Sequence, residues 1–504
     1  MRQTRTKLER VTLPRMSSGT FKNLIGGQWV DGADGAYEIH NPANGSLVGH
    51  APEASVQQSL DAARAAKDAF ASWSRTKPHY RAELLAKAAE AVRAHSADLV
   101  PLVIAETGCT ATVGNTMQVP QVVARFDRYA RGAMEDLDIP LSPMEMPATA
   151  LAPGGIMGAV IRRIPVGPVA CISPYNFPLV NIAGKIGPAL ATGNTVVVRP
   201  ASQDPLAVIE LCRILNDEVG FPEGVINCVT GSTPPSGEAL VETRDIDMIS
   251  FTGSTGVGLR IAEVGGRTMK RLLLELGGKG AALVLEDADV KTAVGAIMSV
   301  WAFHSGQICT APTRVIVHRS KYDELCAGLV QAAGYLKVGD PLEKGTVVGP
   351  LITEAHRARV ESYIAAGIAE GATIAVGGGR PEGLDQGWYV QPTLITECRP
   401  DMTVVREEIF GPVVVVVPFD GDDEVGIAIA NDSDFGLYDY VFSGDSGRAL
   451  RAGQLLRAGN IGINTVQRHH EACFGGTKYS GIGRDGGSFG LHAYTELQSM
   501  VWSR

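Results

Sequence analysis

The feature that most constrains this 504-residue chain is a recurrence of short β-branched runs separated by stretches of helical spacing. Residues 169–172, 195–198, 225–229 and 248–251 are such runs, and 206–219 between them has helical spacing. Runs this apolar cannot alternate between core and solvent, so each is buried on both faces, as strands are in a parallel sheet covered by helices. The pattern restarts after Leu276: a strand near 281–285, a helix near 290–304 and a strand at 314–317, then α/β alternation to about Asn464. The valine run 413–417 reads as a further buried strand. Earlier, helical spacing covers 54–73 and again 78–103, where Leu84, Leu85, Ala88 and Val92 share a face. A chain of this length outgrows one ordinary core, so two α/β units are expected. A Pro- and Gly-bearing stretch between Pro140 and Ile164 interrupts the first unit, and its 159–161 predicts a strand in an arm.

Charge and cysteine usage exclude several classes. The net charge is 45 minus 54, or -9, with no long basic tract, which argues against binding nucleic acid through phosphate neutralisation. No apolar run approaches the roughly 20 residues a bilayer requires, so no membrane span is expected. Arg2, Arg5, Lys7, Arg10 and Arg15 make the start basic, but the apolar core of a secretory signal is missing. A flexible tail over 1–19 is expected, with Met16 as an alternative start. The eight cysteines include no C-x-x-C pair, and the closest two, Cys212 and Cys228, are 16 apart. Neither a metal site nor a disulfide framework is visible, and a cytoplasmic protein with free thiols is expected.

Three glycine-rich segments compete as nucleotide-binding turns. Gly-Ile-Gly-Arg-Asp-Gly at 481–486 fits G-x-G-x-x-G, yet Gly475, Gly476, Tyr479 and Ser480 before it are loop residues rather than a strand. Phe-Thr-Gly-Ser-Thr-Gly-Val-Gly at 251–258 has poorer spelling and better context, since a buried run precedes it and helical residues follow. In Leu-Glu-Leu-Gly-Gly-Lys at 274–279, Glu275 lies 22 residues after Gly253, where a ribose-binding acid can stand. It could equally be a base poised in a cleft; spacing does not separate the two.

With Ser-Gly-Gln-Ile-Cys-Thr-Ala at 305–311, these segments resemble the aldehyde dehydrogenase superfamily, of the NAD(P)-dependent, non-acylating kind. The resemblance also rests on Ser-Pro-Tyr-Asn-Phe-Pro at 173–178 and on Gly-Asn-Thr at 193–195 through Arg199 and Pro200. Glu-Glu-Ile-Phe-Gly-Pro at 407–412 and Phe-Gly-Gly at 474–476 complete it. It runs from about Leu24 to Tyr494, with Cys309 34 positions after Glu275. The resemblance implies Cys309 as the nucleophile, attacking the aldehyde carbon to give a thiohemiacetal and then a thioester. It implies the Asn176 amide and the Cys309 backbone N–H as oxyanion donors, Glu275 as the base that activates hydrolytic water, and Lys185 as an assisting charge. The retained Glu275 implies a free carboxylic acid as product rather than transfer to coenzyme A. NAD or NADP is the implied cofactor, with Ser173, Pro174, Tyr175, Arg199, Ser202 and Leu276 along its site. Gly253 and Ser254 would meet the pyrophosphate, Glu408 the nicotinamide ribose, and Phe410 the ring.

The implied organisation is a Rossmann-like coenzyme domain over 20–138 and 166–275, a second α/β catalytic domain over 276–480, and oligomerisation elements at 139–165 and 481–504. A homodimer or homotetramer acting on a small-molecule aldehyde follows from the resemblance. Arg199 stands where the family usually has Lys, and Ser202 where many NAD-preferring members have Glu; together they favour a 2′-phosphate, so NADP is expected to be tolerated. Tyr175 replaces a common Trp, a change not expected to alter the mechanism; Asn181 and Gly184 replace bulky apolar groups, which predicts a wider or more polar acyl pocket. Trp301 and Phe303 are candidates to wall it, and Arg468 with His469 and His470 could hold a substrate carboxylate. A competing reading is a cofactor-independent ester or amide hydrolase pairing Cys309 with His304, His469 or His470.

Overall fold

The computed structural model describes residues 21–503; the expected tail at 1–19 lies outside them. An eight-stranded sheet runs, edge to edge, Gly481–Ile482, Arg271–Glu275, Met248–Thr252, Val169–Ile172, Val196–Arg199, Ile226–Cys228, Asn23–Ile25 and Gln28–Val30. The five strands from Arg271–Glu275 to Ile226–Cys228 are parallel, and the flanking ones are antiparallel. Val196–Arg199 is buried along its whole length, as its unbroken apolar run requires. The helices Val56–Trp73, Pro178–Ala191, Leu206–Arg213 and Thr255–Gly266 cover this sheet.

Strand order reverses between Val169–Ile172 and Met248–Thr252: the chain builds outward on one side, then returns to build on the other. In open parallel sheets the ligand crevice lies outside the carboxyl ends at that reversal. Those two ends carry Ser173 to Asn176 and Gly253 to Ser254.

A seven-stranded sheet runs Thr373–Val376, Thr393–Thr396, Val413–Phe419, Arg314–His318, Ala281–Val284, Tyr438–Phe442 and Asn460–Ile463, parallel except at its first pair. Glu275 ends a strand of the first sheet and Ala281 begins one of the second, so a five-residue bridge, 276–280, joins the two. The carboxyl edge of one sheet thereby meets the amino edge of the other.

Two predicted helices are corrected. The stretch 78–103 is two helices, Pro78–Ala94 and Ser96–Thr107. They break at His95, which leaves the helical well at φ −90°, ψ 13° while its ring reaches the carboxylates of Asp98 and Glu218. The helix expected to reach His304 ends at Trp301, because His304 and Ser305 turn to φ 50° and 58°. Left-handed conformation at two successive non-glycine residues is strained and swings the following loop out of the helix axis.

Ile139–Met146, Gly155–Pro165 and Thr495–Ser503 form a separate antiparallel sheet, the expected arm. The segment 481–504 divides, however. Gly481–Ile482 belongs to the large sheet beside Arg271–Glu275, and Gly487–Ala493 is a helix against the body, so the arm takes just Thr495–Ser503 of the described tail. Leu141, Met144, Ile156, Leu497, Val501 and Trp502 of the arm are exposed. Among the described residues, no helix is long and apolar enough to cross a membrane.

Candidate active site

Cys309 lies on the loop between helix Val290–Trp301 and strand Arg314–His318, at the amino edge of the second sheet. Three contacts fix this loop. Ser305 Oγ donates to the Gly349 carbonyl at 2.8 Å, Gln307 Oε1 accepts from the Ile352 N–H at 3.1 Å, and Tyr440 OH donates to the Thr310 carbonyl at 2.7 Å. Gly278, on the inter-sheet bridge, packs so closely that a β-carbon there would strike the Cys309 carbonyl. Cys309 itself is half-buried. Although part of its surface is exposed, the protein around it is dense enough that burial pushes the thiol up to about 12, with the carboxylates of Glu408 and Glu275 acting in the same direction. The Arg468 guanidinium and the residue's own N–H oppose the rise. Among the described residues no backbone acceptor takes the Cys309 N–H.

Asn176 follows strand Val169–Ile172 and precedes helix Pro178–Ala191, at the strand-order reversal. Its Nδ2 donates to the Gln307 carbonyl at 2.8 Å and its Oδ1 accepts the Phe177 N–H at 3.0 Å. A side-chain amide has two N–H donors, so one holds the cysteine loop while the other is available to a substrate oxygen.

Glu275 is buried, and neither carboxylate oxygen has a hydrogen-bond partner. Burial first, then nearby Asp485, raises its pKa well above the usual carboxylate range; Lys185, Arg468 and Arg484 pull it back. Its carboxylate lies against the backbone of Gly475, where a β-carbon would come within 2.7 Å of Oε1. Only glycine leaves that space, and φ of +151° there also favours it. An unpartnered, desolvated carboxyl beside the cysteine loop suits a proton acceptor for water better than a ribose ligand.

Lys185 is a buried residue of helix Pro178–Ala191, not a solvated helix lysine. Its Nζ donates to Ser250 Oγ at 3.3 Å, and Ser250 is bonded to Tyr494 OH at 2.7 Å. Desolvation lowers its pKa, while Asp485, Cys171 and Glu275 support its charge.

The nucleotide candidates line the crevice at the reversal. Ser254 caps helix Thr255–Gly266, accepting from the Val257 N–H, directly after strand Met248–Thr252. This is the strand–turn–helix setting in which backbone N–H groups meet a pyrophosphate. Leu276 packs into the space a β-carbon at Gly258 would fill. Ser173 Oγ is buried without a partner, and Glu408 takes one N–H, from Gly278 at 2.8 Å. Tyr175 and Phe410 meet edge-on at 5.9 Å, with Pro174 beside them in sequence. Arg199 is buried, with Nη2 donating to the carbonyls of Gly231 and Thr233, both at 3.2 Å, and Nη1 unpartnered. Ser202 Oγ is near the Gln203 side chain at 3.3 Å. These orphaned polar atoms, with the N-terminus of helix Thr255–Gly266 beside strand Met248–Thr252, fit a dinucleotide.

The structure rejects other candidates. The 481–486 glycine pattern is a sheet edge and its exit, and a β-carbon at Gly481 would strike the Leu274 carbonyl; its glycines serve packing beside Glu275. Trp301 is a core residue whose Nε1 donates to the Pro412 carbonyl at 3.0 Å, so it does not wall the pocket. Phe303, partly buried, packs against the cluster of Ile104, Cys109 and Val113. Burial lowers the His304 pKa to about 4, and its ring lies 5.0 Å from that of Phe177. Among the described residues no imidazole is hydrogen-bonded to Cys309, so the hydrolase pairing finds no geometry. No group of three or more His, Cys, Asp or Glu among them is placed to hold a metal.

Sequence reasoning missed Arg125, Asp485 and Glu53. Arg125 reaches the site from helix Val119–Gly132, Asp485 is bridged to Phe474, and Glu53 accepts the Ser232 N–H near Arg199. Each is brought in by tertiary packing and carries no local signal.

Comparison with known proteins agrees with this geometry. The model of the aldehyde dehydrogenase family matches residues 29–500. The chain is 37% identical over 482 residues to 3-succinoylsemialdehyde-pyridine dehydrogenase of a Pseudomonas species, covering 95% of this chain and 97% of that one. It is 35% identical over 485 residues to betaine aldehyde dehydrogenase of Bacillus subtilis, covering 94% and 96%. Betaine aldehyde dehydrogenase of Staphylococcus aureus, solved in complex with NAD+, superposes with a TM-score of 0.91 at 34% identity over 96% of this chain and 95% of that one. The chain belongs to the aldehyde dehydrogenase family.

Proposed function

We propose that the protein oxidises an aldehyde to its carboxylic acid with reduction of NAD(P)+, using Cys309 as nucleophile. The observation that carries this reading is the meeting, in one cleft, of a half-exposed Cys309, an Asn176 amide with a spare donor and a buried, unpartnered Glu275. The Cys309 thiolate adds to the carbonyl carbon, and the oxygen gathers the negative charge. Asn176 and the Cys309 N–H donate to that oxygen as the charge develops, which is where such donors lower a barrier most. Bound NAD(P)+ supplies the acceptor for the hydride that leaves the same carbon. Glu275 then takes a proton from water as its oxygen attacks the thioester; the acid departs and the thiolate is restored. Lys185, held by Ser250, supports the ionised form of Glu275.

Ser173, Pro174, Tyr175, Gly253, Ser254, Leu276, Glu408 and Phe410 are the residues proposed to hold the cofactor, with Arg199 and Ser202 at its adenosine end. The relatives solved with NAD+ support this assignment. The absence of an acid at 202 beside Arg199 supports use of NADP as well. The coenzyme domain is assigned to 20–138 and 166–275 and the catalytic domain to 276–480. The arm, with its exposed apolar residues, is assigned to contact between copies in a homodimer or homotetramer. A cytoplasmic enzyme is the accompanying expectation.

The test is rapid-mixing kinetics with Glu275→Gln. One equivalent of reduced cofactor per active site, followed by stalled turnover, is expected. Unchanged steady-state turnover would reduce Glu275 to a ribose binder, and adducts on a thiol other than Cys309 would overturn the whole reading.

A further inference from the structure

Strand Tyr438–Phe442 of the second sheet is buried along its whole length, and its alternation puts Tyr438 and Tyr440 on one face. Their rings stack with centroids 4.7 Å apart and 17° between the planes. The Tyr440 ring fits because Gly462 stands opposite it in the next strand; a β-carbon there would come within 2.6 Å of the ring. A tyrosine buried this deeply needs a partner for its one polar atom. The Tyr440 hydroxyl finds one by donating at 2.7 Å to the carbonyl of Thr310, the residue after Cys309. Burial raises its pKa well above the ordinary phenol range, so the hydroxyl keeps its proton and stays a donor.

A second clamp lies on the other side of the cysteine. Asn176 Nδ2 holds the Gln307 carbonyl, two residues before Cys309, at 2.8 Å. Between the two clamped carbonyls the chain makes a turn, closed by the Ala311 N–H on the Ile308 carbonyl at 3.1 Å, with Cys309 and Thr310 at its centre. The closing bond of such a turn leaves the N–H of the first central residue without an acceptor inside it. Cys309 is that residue, and no backbone acceptor among the described residues takes its N–H. The same N–H lies close enough to its own sulfur to oppose the rise in the thiol's pKa, so donor and nucleophile share one side of the turn. Among the described residues, Tyr440 is the only side chain that bonds to a backbone group of residues 308–311.

We propose that Tyr440 is a positioning residue for the oxyanion site: through the Thr310 carbonyl it sets the tilt of the turn and so aims the Cys309 N–H at the oxygen of a bound carbonyl group. This deepens the function proposed above and rests on it for the role of that N–H. A donor stabilises developing charge when it is aimed beforehand, and a displacement of about 1 Å costs up to about a hundredfold in rate. Without the hydroxyl, the Thr310 carbonyl loses its partner and the turn is free to tilt. An attack by sulfur that develops no charge on oxygen is indifferent to that tilt.

The experiment compares two reactions of the same sulfur in cofactor-free enzyme, each quenched early and counted by mass spectrometry as adduct on the Cys309 peptide. With p-nitrophenyl acetate, the sulfur bonds to the carbonyl carbon, the oxygen gathers charge, and p-nitrophenolate departs to leave an acetyl thioester. With iodoacetamide, the sulfur displaces iodide from a methylene carbon and no oxyanion forms. Tyr440→Phe keeps the ring and its stack; it should lower acylation about tenfold while leaving alkylation within about twofold. Tyr438→Ala keeps the hydroxyl but removes its support, and should lower the acylation-to-alkylation ratio by a smaller factor. With an aldehyde and NAD(P)+, Tyr440→Phe should slow the first hydride transfer about tenfold at a nearly unchanged aldehyde KM. A ratio unmoved in Tyr440→Phe with a native melting curve, or both rates falling together, would overturn the proposal. Should Tyr440→Phe not fold, an unmoved ratio in Tyr438→Ala would do the same. If no aldehyde is oxidised with either cofactor, the proposed function fails, and the ratio still decides the part played by Tyr440.

Discussion

The side-chain amide of Asn176 donates a 2.8 Å hydrogen bond to the carbonyl of Gln307, two residues before Cys309. One residue thus ties the strand-order reversal of the first sheet to the cysteine loop of the second. Asn176→Ala is expected to lower kcat by roughly a hundred- to thousand-fold, the usual consequence of losing an oxyanion donor. Asn176→Asp, which keeps the shape and removes both N–H groups, should lose as much. Steady-state kinetics with a retained melting temperature would check this.

The thiol of Cys309 is held up near 12 by burial and by two carboxylates, against the pull of Arg468. Free enzyme should therefore be alkylated slowly at neutral pH, with a rate that climbs through the alkaline range. Removing the guanidinium in Arg468→Gln raises the thiol further, so labelling at a fixed pH should slow. Peptide mapping should find Cys109, Cys171, Cys212, Cys228 and Cys398 unlabelled, since they are buried, and adducts confined to the partly exposed Cys309, Cys326 and Cys473.

Glu275 acts as a base only when ionised, and burial raises its pKa well above the ordinary carboxylate range. The acid limb of the kcat profile should consequently lie above that range, with turnover rising as the pH climbs through it. Glu275→Gln should abolish the limb along with the turnover. A limb near 4.5 in the wild type would contradict the desolvated site.

Ser202→Glu restores a carboxylate beside Arg199. It should depress kcat/KM with NADP by about tenfold or more while leaving NAD the better cofactor, because a 2′-phosphate is repelled by the added charge. Activity with both cofactors over a range of ionic strength is the measurement; the penalty should shrink as salt rises.

Much of the fold is legible in local pattern. The unbroken apolar runs at 196–199 and 413–417 announce strands covered on both faces, and the turn at 251–258 announces a strand handing over to a helix. Pattern fails where the chain is set by distant partners. His95 breaks a periodicity that runs straight through it, because its ring is drawn to Glu218, 123 residues away. Trp301 looks like a pocket wall from its position before the cysteine, and packing buries it. Arg125 reads as one more polar residue of an amphipathic helix; its meaning depends on Gly184 in another helix leaving it room. The proposed nucleophile, oxyanion donor and base come from the family resemblance, whose motifs name positions 309, 176 and 275, whereas no motif names the acyl pocket, because its shape depends on contacts across helices.

Tyr494 closes the sequence of contacts that begins at Lys185, and the very next residue, Thr495, starts the outermost strand of the arm. A neighbouring copy that clasps the arm would therefore tug on the hydroxyl that steadies Ser250, and through it on the ammonium beside Glu275. Should copies pair through the arm as proposed, loosening that contact would reach the proposed proton acceptor along this line of hydrogen bonds.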